Sequence, residues 1–428
     1  HGVHKGAGLE NPRNIDPATG IFKDYTDLEF PADIKNCTYC HVDDRWKTMP
    51  SRLACGACHD NIWFGDAATM PATAEAHPGG PQASDAGCAF CHPADKGGAK
   101  AIAEAHKIEP PAFKQTVELS LSAPANGSYY VTGEAPKLTI TIKDAATGSI
   151  IDPATIVEPA DAKVVQANEW RRANLYVSGP RDHTVPVLTT ASDKIEPTHY
   201  YAENDFRVRI DPNKEDTRIT RSATGITYQL GDVAGLKAGT YTAFVEIMPA
   251  APLGGWALLN FQVGTETEES RVATNCADCH ADTRMHSSYF AVQFNPDICK
   301  NCHDYLNQIP GKTGWNDSNW GFGAAPLARR VHGVHFGRYL NKPEEIHGAQ
   351  DAEHFGGIIF PQDVRNCTKC HADNPMWKEE PARLPCLACH DSDETIYHGM
   401  LMTYDPTWDD PFGGDEIETC IVCHGDEA

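Results

Sequence analysis

The sequence predicts a multidomain protein in which two cysteine-rich modules of short helices and loops flank an antiparallel β-sandwich or barrel. Three observations predict this arrangement. The chain has 428 residues, which corresponds to about two to four domains. Its 16 cysteines lie only towards the two ends, and the segment between them has the patterning of short strands. The predicted domains are residues 1–107, 108–270 and 271–428.

Every cysteine belongs to a Cys-x-x-Cys pair that is followed directly by histidine. Two thiols at this spacing can form thioethers to the vinyl groups of one porphyrin, and the next histidine can bind the iron as its proximal ligand. Zinc ribbons, redox dithiols and disulfide frameworks also use paired cysteines, but none of them needs histidine at this fixed position. The sequence therefore predicts eight c-type haems, at Cys37-Cys40-His41, Cys55-Cys58-His59, Cys88-Cys91-His92, Cys276-Cys279-His280, Cys299-Cys302-His303, Cys367-Cys370-His371, Cys386-Cys389-His390 and Cys420-Cys423-His424.

The two cysteine-rich modules repeat each other. Phe30–His41 (FPADIKNCTYCH) and Phe360–His371 (FPQDVRNCTKCH) agree at eight of twelve positions, and His-Gly-Val-His precedes each of them, at His1–His4 and His332–His335. The three motifs of the first module correspond to the last three of the second, which has two more. We therefore expect a ten-haem parent with two five-haem modules, of which this chain lacks the beginning. A natural eight-haem protein is the alternative.

The central segment from Ile108 to Ser270 contains no cysteine and only two histidines, His183 and His199, for which we expect solvated surface positions. Short alternating or β-branched runs, separated by Gly, Pro, Asp and Asn, predict strands that form an antiparallel sandwich or barrel. The flanking modules show little periodicity, so we expect porphyrins to form their cores. The predicted strands are Thr116–Leu121, Leu138–Ile142, Asn174–Val177, Phe206–Ile210, Tyr241–Met248 and Leu258–Val263.

Each iron needs a ligand on its second face, and the choice of ligand separates electron transfer from catalysis. The two modules contain enough further histidines for bis-histidine ligation throughout, and methionines are expected to be packing residues. For His347 and His398, a solvated surface position competes evenly with a ligand role. The distal candidates are His1, His4, His77 and His106 for three haems, and His286, His332, His335, His347, His354 and His398 for five.

The order of three motifs, a β-domain and five motifs, with His-x-x-His well ahead of Asn-Cys-Thr-x-Cys-His, resembles the OmcA/MtrC family of outer-surface decahaem cytochromes of metal-reducing bacteria. The resemblance covers the whole chain as the C-terminal part of such a protein. It implies a split-barrel β-domain, the absence of a first β-domain and two haems, and distal ligands that include His286, His332 and His335. It also implies a place at the extracellular face of the outer membrane, or secretion.

The same resemblance implies the partners: other multihaem cytochromes or an outer-membrane porin-cytochrome conduit, and a metal oxide, an electrode or a soluble shuttle as acceptor.

The composition excludes nucleic-acid-binding and membrane-spanning proteins. A formal charge of −23 opposes nucleic-acid binding, and no apolar run is long enough to span a bilayer. No signal segment is present, and we expect that an export signal was removed, since haem attachment takes place outside the cytoplasm.

Two functions remain. The first is an electron relay through closely packed low-spin haems, with self-assembly into a filament as a variant. The second is an octahaem oxidoreductase with one open haem that acts on small nitrogen or sulfur compounds. Histidine in all eight motifs and the number of further histidines favour the relay. The acidic stretch Asp409–Glu418 is either a calcium site or a solvated face.

Overall fold

A computed structural model describes residues 2–10, 28–97, 100–108, 113–158, 166–170, 172–188, 208–211, 216–248, 254–280, 294–305, 325–347, 352–406 and 414–425. The chain forms two compact units. One comprises His1–Pro110, Asp278–Thr283 and Gly357–Ile359, and the other comprises Pro111–Ala277, Arg284–Gly356 and Phe360–Ala428. The predicted division into three domains remains a proposal.

The first unit consists of short helices and turns. Two-residue strands β1 (Ile62–Trp63) and β2 (Glu75–Ala76) pair in parallel. Among its described residues, Ala32 and Ala101 are the only buried apolar side chains, so no protein core holds these elements together. The α-helices are Gly2–Lys5, Arg45–Thr48, Arg52–Gly56, Cys88–Cys91 and Ile102–Ala105, and the 3-10 helices are Gly6–Gly8, Cys37–Tyr39 and Ala67–Thr69.

The second unit contains the β-domain, in two antiparallel sheets. One sheet has the order β3-β4-β9-β8, and the other has the order β11-β10-β5-β6 with β7 also paired to β5. Neither sheet closes into a barrel within the described residues, so the domain is a sandwich. The strands are β3 (Gln115–Leu121), β4 (Lys137–Asp144), β5 (Arg172–Gly179), β6 (Val185–Pro186), β7 (Val208–Arg209), β8 (Ile219–Ser222), β9 (Gly225–Gln229), β10 (Gly239–Met248) and β11 (Trp256–Val263).

The sandwich core forms where the inward residues of the two sheets meet. Alternate residues of β4, such as Leu138 and Ile140, pack in one cluster with alternate residues of β5 and β10, such as Leu175 and Val245. This alternation of apolar residues at every second position is the pattern from which the sequence predicted these strands. Five of the six predicted strands are present. Of the sixth, Phe206–Ile210, the strand Val208–Arg209 is seen, and residues 206–207 lie outside the described residues. Strands β6, β8 and β9 were not predicted.

Strands β5 and β10 are buried on both faces. Their outer face carries Tyr176 and Phe244, which pack against Ile298 of the helix Pro296–Cys299. Ser178 Oγ donates a hydrogen bond of 2.8 Å to Asn301 Oδ1 in the same region. The sandwich therefore supports the haem motif that begins at Cys299.

The rest of the second unit is again made of short helices. The longest, Leu327–Phe336, has ten residues, and strands β12 (Thr403–Tyr404) and β13 (Ile417–Glu418) form one small antiparallel ladder. No helix in the described part of the chain is long and apolar enough to cross a membrane. The other helices of this unit are Pro343–His347, Ala352–Phe355, Thr368–His371, Met376–Glu379, Arg383–Cys386, Asp393–Leu401 and Ile421–His424, with a 3-10 helix at Gly337–Tyr339. The helix Ala277–His280 lies at a boundary, and its last three residues belong to the first unit.

Candidate haem-binding sites

The Cys-x-x-Cys-His motifs fold as single helical turns. In seven of them the backbone N–H of the histidine donates a hydrogen bond to the carbonyl of the first cysteine. This bond is 3.0 Å long from His371 to Cys367 and 2.8 Å long from His59 to Cys55. One such turn brings residues one, four and five onto one side. None of the 16 cysteines, all of which are described, forms a disulfide, and none is buried. The motifs therefore present two thiols and an imidazole together.

The repeated segment before the first of these motifs has a specific conformation. Asp33 Oδ1 accepts from Lys35 N, and Asp363 Oδ1 accepts from Arg365 N, each at 3.0 Å. The next asparagine then accepts from the threonine inside the motif, at 2.6 Å in Asn36 and 2.9 Å in Asn366. The repeat thus encodes an Asx turn that leads into the motif, a role that sequence reasoning missed.

In many of the predicted histidine ligands, the Nδ1 atom of the ring forms a hydrogen bond with a backbone carbonyl. Since a carbonyl can only accept, the Nδ1 atom must carry the proton, and Nε2 keeps its lone pair for a metal. Such a bond also fixes the orientation of the ring. Among proximal histidines it joins His92 to Lys100, His280 to Pro31, His303 to Ala325 and His371 to Val272, at 2.8–3.1 Å. Among distal candidates it joins His77 to Gly80, His106 to Ile102, His332 to Ala328 and His335 to Val331, at 2.7–3.2 Å.

Burial keeps several of these rings neutral. Loss of solvation is the largest cause that lowers the pKa of His59, His332, His335 and His371 below its ordinary value. The neutral imidazole is the form that binds a metal.

Four predicted distal histidines lie opposite a proximal histidine. With metal–imidazole bonds of about 2.0–2.1 Å and about 1.2 Å from nitrogen to ring centre, two imidazoles on one metal place their centroids about 6.4 Å apart. The separations in the structure are close to this value. The pairs are His59–His106 at 6.1 Å, His77–His92 at 6.2 Å, His332–His371 at 6.0 Å and His398–His424 at 6.2 Å.

The remaining distal candidates are placed differently. His4 lies 5.8 Å from Phe30, and its repeat counterpart His335 lies 5.4 Å from Phe360, so the second histidine of each His-x-x-His packs on the phenylalanine of the repeated segment. His354 packs on its neighbour Phe355 at 4.8 Å. His1, His286 and the side chain of His347 lie outside the described residues, as does His199.

The modules expose large apolar side chains where a porphyrin would lie. Val42, Leu53, Phe90, Leu401 and Val422 are each at least 73% exposed. Each lies within, or one to three residues from, a motif or the candidate ligand His398. The described large apolar residues of the sandwich reach only 51%. Exposed apolar surface concentrated at the candidate sites fits a bulky apolar cofactor.

The cysteines and the acidic side chains of the described residues were also compared with the requirements of other metal sites. Desolvation of the sulfur raises the pKa of Cys386 to about 11 and that of Cys389 to about 12, so both are thiols while no metal is bound. No group of three or more acidic, histidine or cysteine side chains in the described ranges is arranged to hold a metal ion. In the acidic stretch, Glu416 and Glu418 instead pair with the buried Arg383, at 3.5 and 3.2 Å; residues 407–413 lie outside the described residues.

His183 is not the solvated surface residue that the sequence predicted. Its ring lies 4.1 Å from that of Tyr305 and packs against Gly414. The Nε2 atom is buried and has no hydrogen-bond partner in the part of the chain that the structure describes. Burial lowers the pKa of His183 from 6.5 to about 4. No local pattern could have predicted this burial, because Tyr305 and Gly414, which cover His183, are far away along the chain.

Residues 270–428 match the family model described as outer membrane cytochrome MtrC/MtrF-like, domains II/IV. The matched region contains five of the eight motifs, and two of the four histidine pairs. No curated protein matches the chain, and no solved structure matches it.

Proposed function

We propose, on the premise that residues 270–428 match the outer membrane cytochrome MtrC/MtrF-like family, that the chain relays electrons through eight covalently bound haems to acceptors outside the cell. The family implies c-type haems, a multihaem electron-transfer role and a place at the extracellular face of the outer membrane. We propose the haem number and the iron ligands from this chain's own residues.

The observation that carries the proposal is the set of four histidine pairs. Each joins a motif histidine to a predicted distal histidine at 6.0–6.2 Å between ring centroids. A ligand on each face of an iron leaves no position for substrate, which suits electron transfer. We therefore assign His106, His77, His332 and His398 as the distal ligands of four haems.

The repeat extends this assignment to a fifth haem. His332 pairs with His371, and their counterparts in the first module are His1 and His41. We propose His1 as the distal ligand opposite His41. The haems of His280, His303 and His390 then draw their ligands from the remaining candidates of the modules.

A bound haem would supply a one-electron iron couple whose potential depends on its axial ligands and surroundings. The protein's part is to fix those ligands. The backbone carbonyls accept the hydrogen bonds from Nδ1, exposed apolar side chains near several motifs would cover the porphyrin, and the single-turn motifs would attach it. We propose partner cytochromes of an outer-membrane conduit on one side and a mineral, an electrode or a soluble shuttle on the other.

The competing function is an octahaem oxidoreductase, which needs one iron open to substrate. The test is to measure the intact mass of the purified protein and to count low-spin and high-spin iron by electron paramagnetic resonance. We expect a mass that exceeds 46.7 kDa by eight haems, with all iron low-spin. A stoichiometric high-spin signal would favour the enzyme, and a smaller haem number would contradict the assignment of the motifs.

A matched variant locates one of the haems. Replacing both Cys88 and Cys91 by alanine removes the thioethers at a single motif while its histidine remains. We expect the covalent haem count to fall by one. An unchanged count would show that this motif does not attach haem.

A further inference from the structure

The four histidine pairs differ in how their rings are oriented. The planes of His332 and His371 are nearly parallel, at 18°. The other three pairs are steeply crossed, at 62° in His77–His92, 76° in His59–His106 and 80° in His398–His424. One site is therefore unlike the rest.

Ring orientation matters because an axial imidazole interacts most strongly with the iron π orbital perpendicular to its plane. Two parallel rings act on the same orbital and separate it from its partner, which gives a rhombic low-spin iron. Two crossed rings act on different orbitals and leave them nearly equal in energy, which gives a strongly anisotropic iron. The orientation of the ligands thus sets an electronic property that the ligand identity alone does not.

The His332 ring is held from within its own helix. Its Nδ1 donates 2.7 Å to the carbonyl of Ala328, four residues earlier in the helix Leu327–Phe336. The His371 ring depends on a distant segment, because its Nδ1 donates 3.0 Å to the carbonyl of Val272. Rotation of His371 about its iron bond is therefore limited by the position of residues 270–275.

Few bonds hold this segment against the motif. The backbone N–H groups of Thr274 and Asn275 reach the Cys370 carbonyl at 3.3 and 3.4 Å, at the long end of the range for such bonds. Asn374 makes the short contacts: its Nδ2 donates 2.8 Å to Ser270 Oγ and 2.9 Å to the Arg271 carbonyl. Arg271 is further anchored through its side chain, at 2.7 Å from Asp297.

The chain turns sharply to bring Asn374 into this position. Ala372, directly after His371, is the one non-glycine residue among those described with a positive φ, at 50°. Such a conformation is uncommon for alanine and is strained. Asn374 N also donates 3.0 Å to the His371 carbonyl. The ligand and the asparagine are thus tied together on one side of the segment.

We propose that Asn374 is a positioning residue, which holds the Val272 carbonyl against His371 and thereby keeps the axial imidazoles of this haem parallel. The inference rests on the proposed bis-histidine ligation. On this basis a haem bound at Cys367–His371 would be a rhombic low-spin centre, whereas haems bound at His59, His92 and His424 would be strongly anisotropic.

The variant Asn374→Asp tests this in the haem-loaded protein. Aspartate keeps the oxygen that accepts from Met376 N at 2.9 Å, and it loses both donations to residues 270–271. We expect the rhombic low-spin signal to fall by up to one haem equivalent, one eighth of the iron, while the total low-spin count stays the same. Asn366→Asp is the matched control, because it adds the same charge next to Cys367 but keeps its acceptor for Thr368.

Ser270→Ala provides a second variant, which removes one of the two acceptors at an exposed position. It is expected to shift the same signal by less than Asn374→Asp does. Identical spectra for Asn374→Asp and Asn366→Asp, with all iron low-spin, would overturn the positioning role and leave the proposed function intact. High-spin iron at this site in the unmutated protein would overturn the bis-histidine proposal itself, and the inference with it.

Discussion

Asp297 connects the sandwich to the haem motif that begins two residues later. Its carboxylate is 1% exposed and lies 3.1 Å from the guanidinium of Arg181, which is 5% exposed, and 2.7 Å from that of Arg271. Arg181 follows strand β5, so this buried ion pair joins a sandwich strand to the helix Pro296–Cys299. We predict that Asp297→Asn, which keeps the shape and removes the charge, strongly destabilises the second unit.

The geometry sets the size of the effect. Removing one partner of a buried ion pair costs about 3–5 kcal/mol, because the other charge stays buried without compensation. Arg181 would keep the carboxylate of Glu268 at 3.0 Å, although that group is 61% exposed and well solvated. Arg271 is 37% exposed and can return to water, so its share is below about 1 kcal/mol. We therefore expect a loss of about 3 kcal/mol.

The measurement is urea unfolding of the haem-loaded protein, followed by far-ultraviolet circular dichroism for the sheets and by Soret absorption for the haems. Coincident transitions would show that sandwich and motif unfold together, as the shared buried pair requires. Asp363→Asn is the control, because Asp363 contacts Arg365 at 2.7 Å but both are more than half exposed. We expect no resolvable change in that variant. Equal effects of the two substitutions would refute the argument from burial.

Three further predictions address the sites and the core. His398→Gly opens one iron, so high-spin iron should appear as one eighth of the total, and His77→Gly should do the same in the first module; an unchanged spectrum would contradict the pairing. Folding lowers the pKa of His183 from 6.5 to about 4. The free energy of unfolding should therefore be highest above pH 6.5 and should decrease by about 3 kcal/mol as the pH falls towards 4. His183→Gln should lack that part of the pH profile of the unfolding free energy. Leu175→Ala, in the sandwich core, should cost about 2–5 kcal/mol, whereas the exposed Leu53→Ala should leave the sheet transition unchanged.

The strands were predictable to the extent that they alternate. Lys137–Asp144 and Gly239–Met248 contain the predicted runs, because one face of each is apolar at every second residue. Strands β8 and β9 were missed, since Thr, Arg, Ser and Gly make up much of them and their partners supply the apolar neighbours. Alternation in the sequence reflects which side chains of a strand are buried. A short strand that is held mainly by backbone hydrogen bonds to its neighbours therefore shows little alternation.

The Cys-x-x-Cys-His motifs could be recognised in the sequence because their spacing is local, whereas the histidine pairs could not. His77 and His92 are close in sequence, but His59 and His106 are separated by another complete motif. The carbonyl that orients His371 comes from Val272, on the other side of two motifs. Spacing alone could give only a set of candidates, because chain folding decides which members meet.

The two modules reach the same ligand geometry by different local structures. In the first, His77 follows strand β2 of a parallel ladder, and its N–H donates 3.0 Å to the Trp63 carbonyl. In the second, His398 lies within the helix Asp393–Leu401, ahead of an antiparallel ladder. Both histidines nevertheless lie 6.2 Å from the histidine of the next motif, and both pairs are steeply crossed. Secondary structure has changed between the repeats while the ring pair has not. This is the pattern expected if a haem between the rings, rather than the backbone around them, constrains each module.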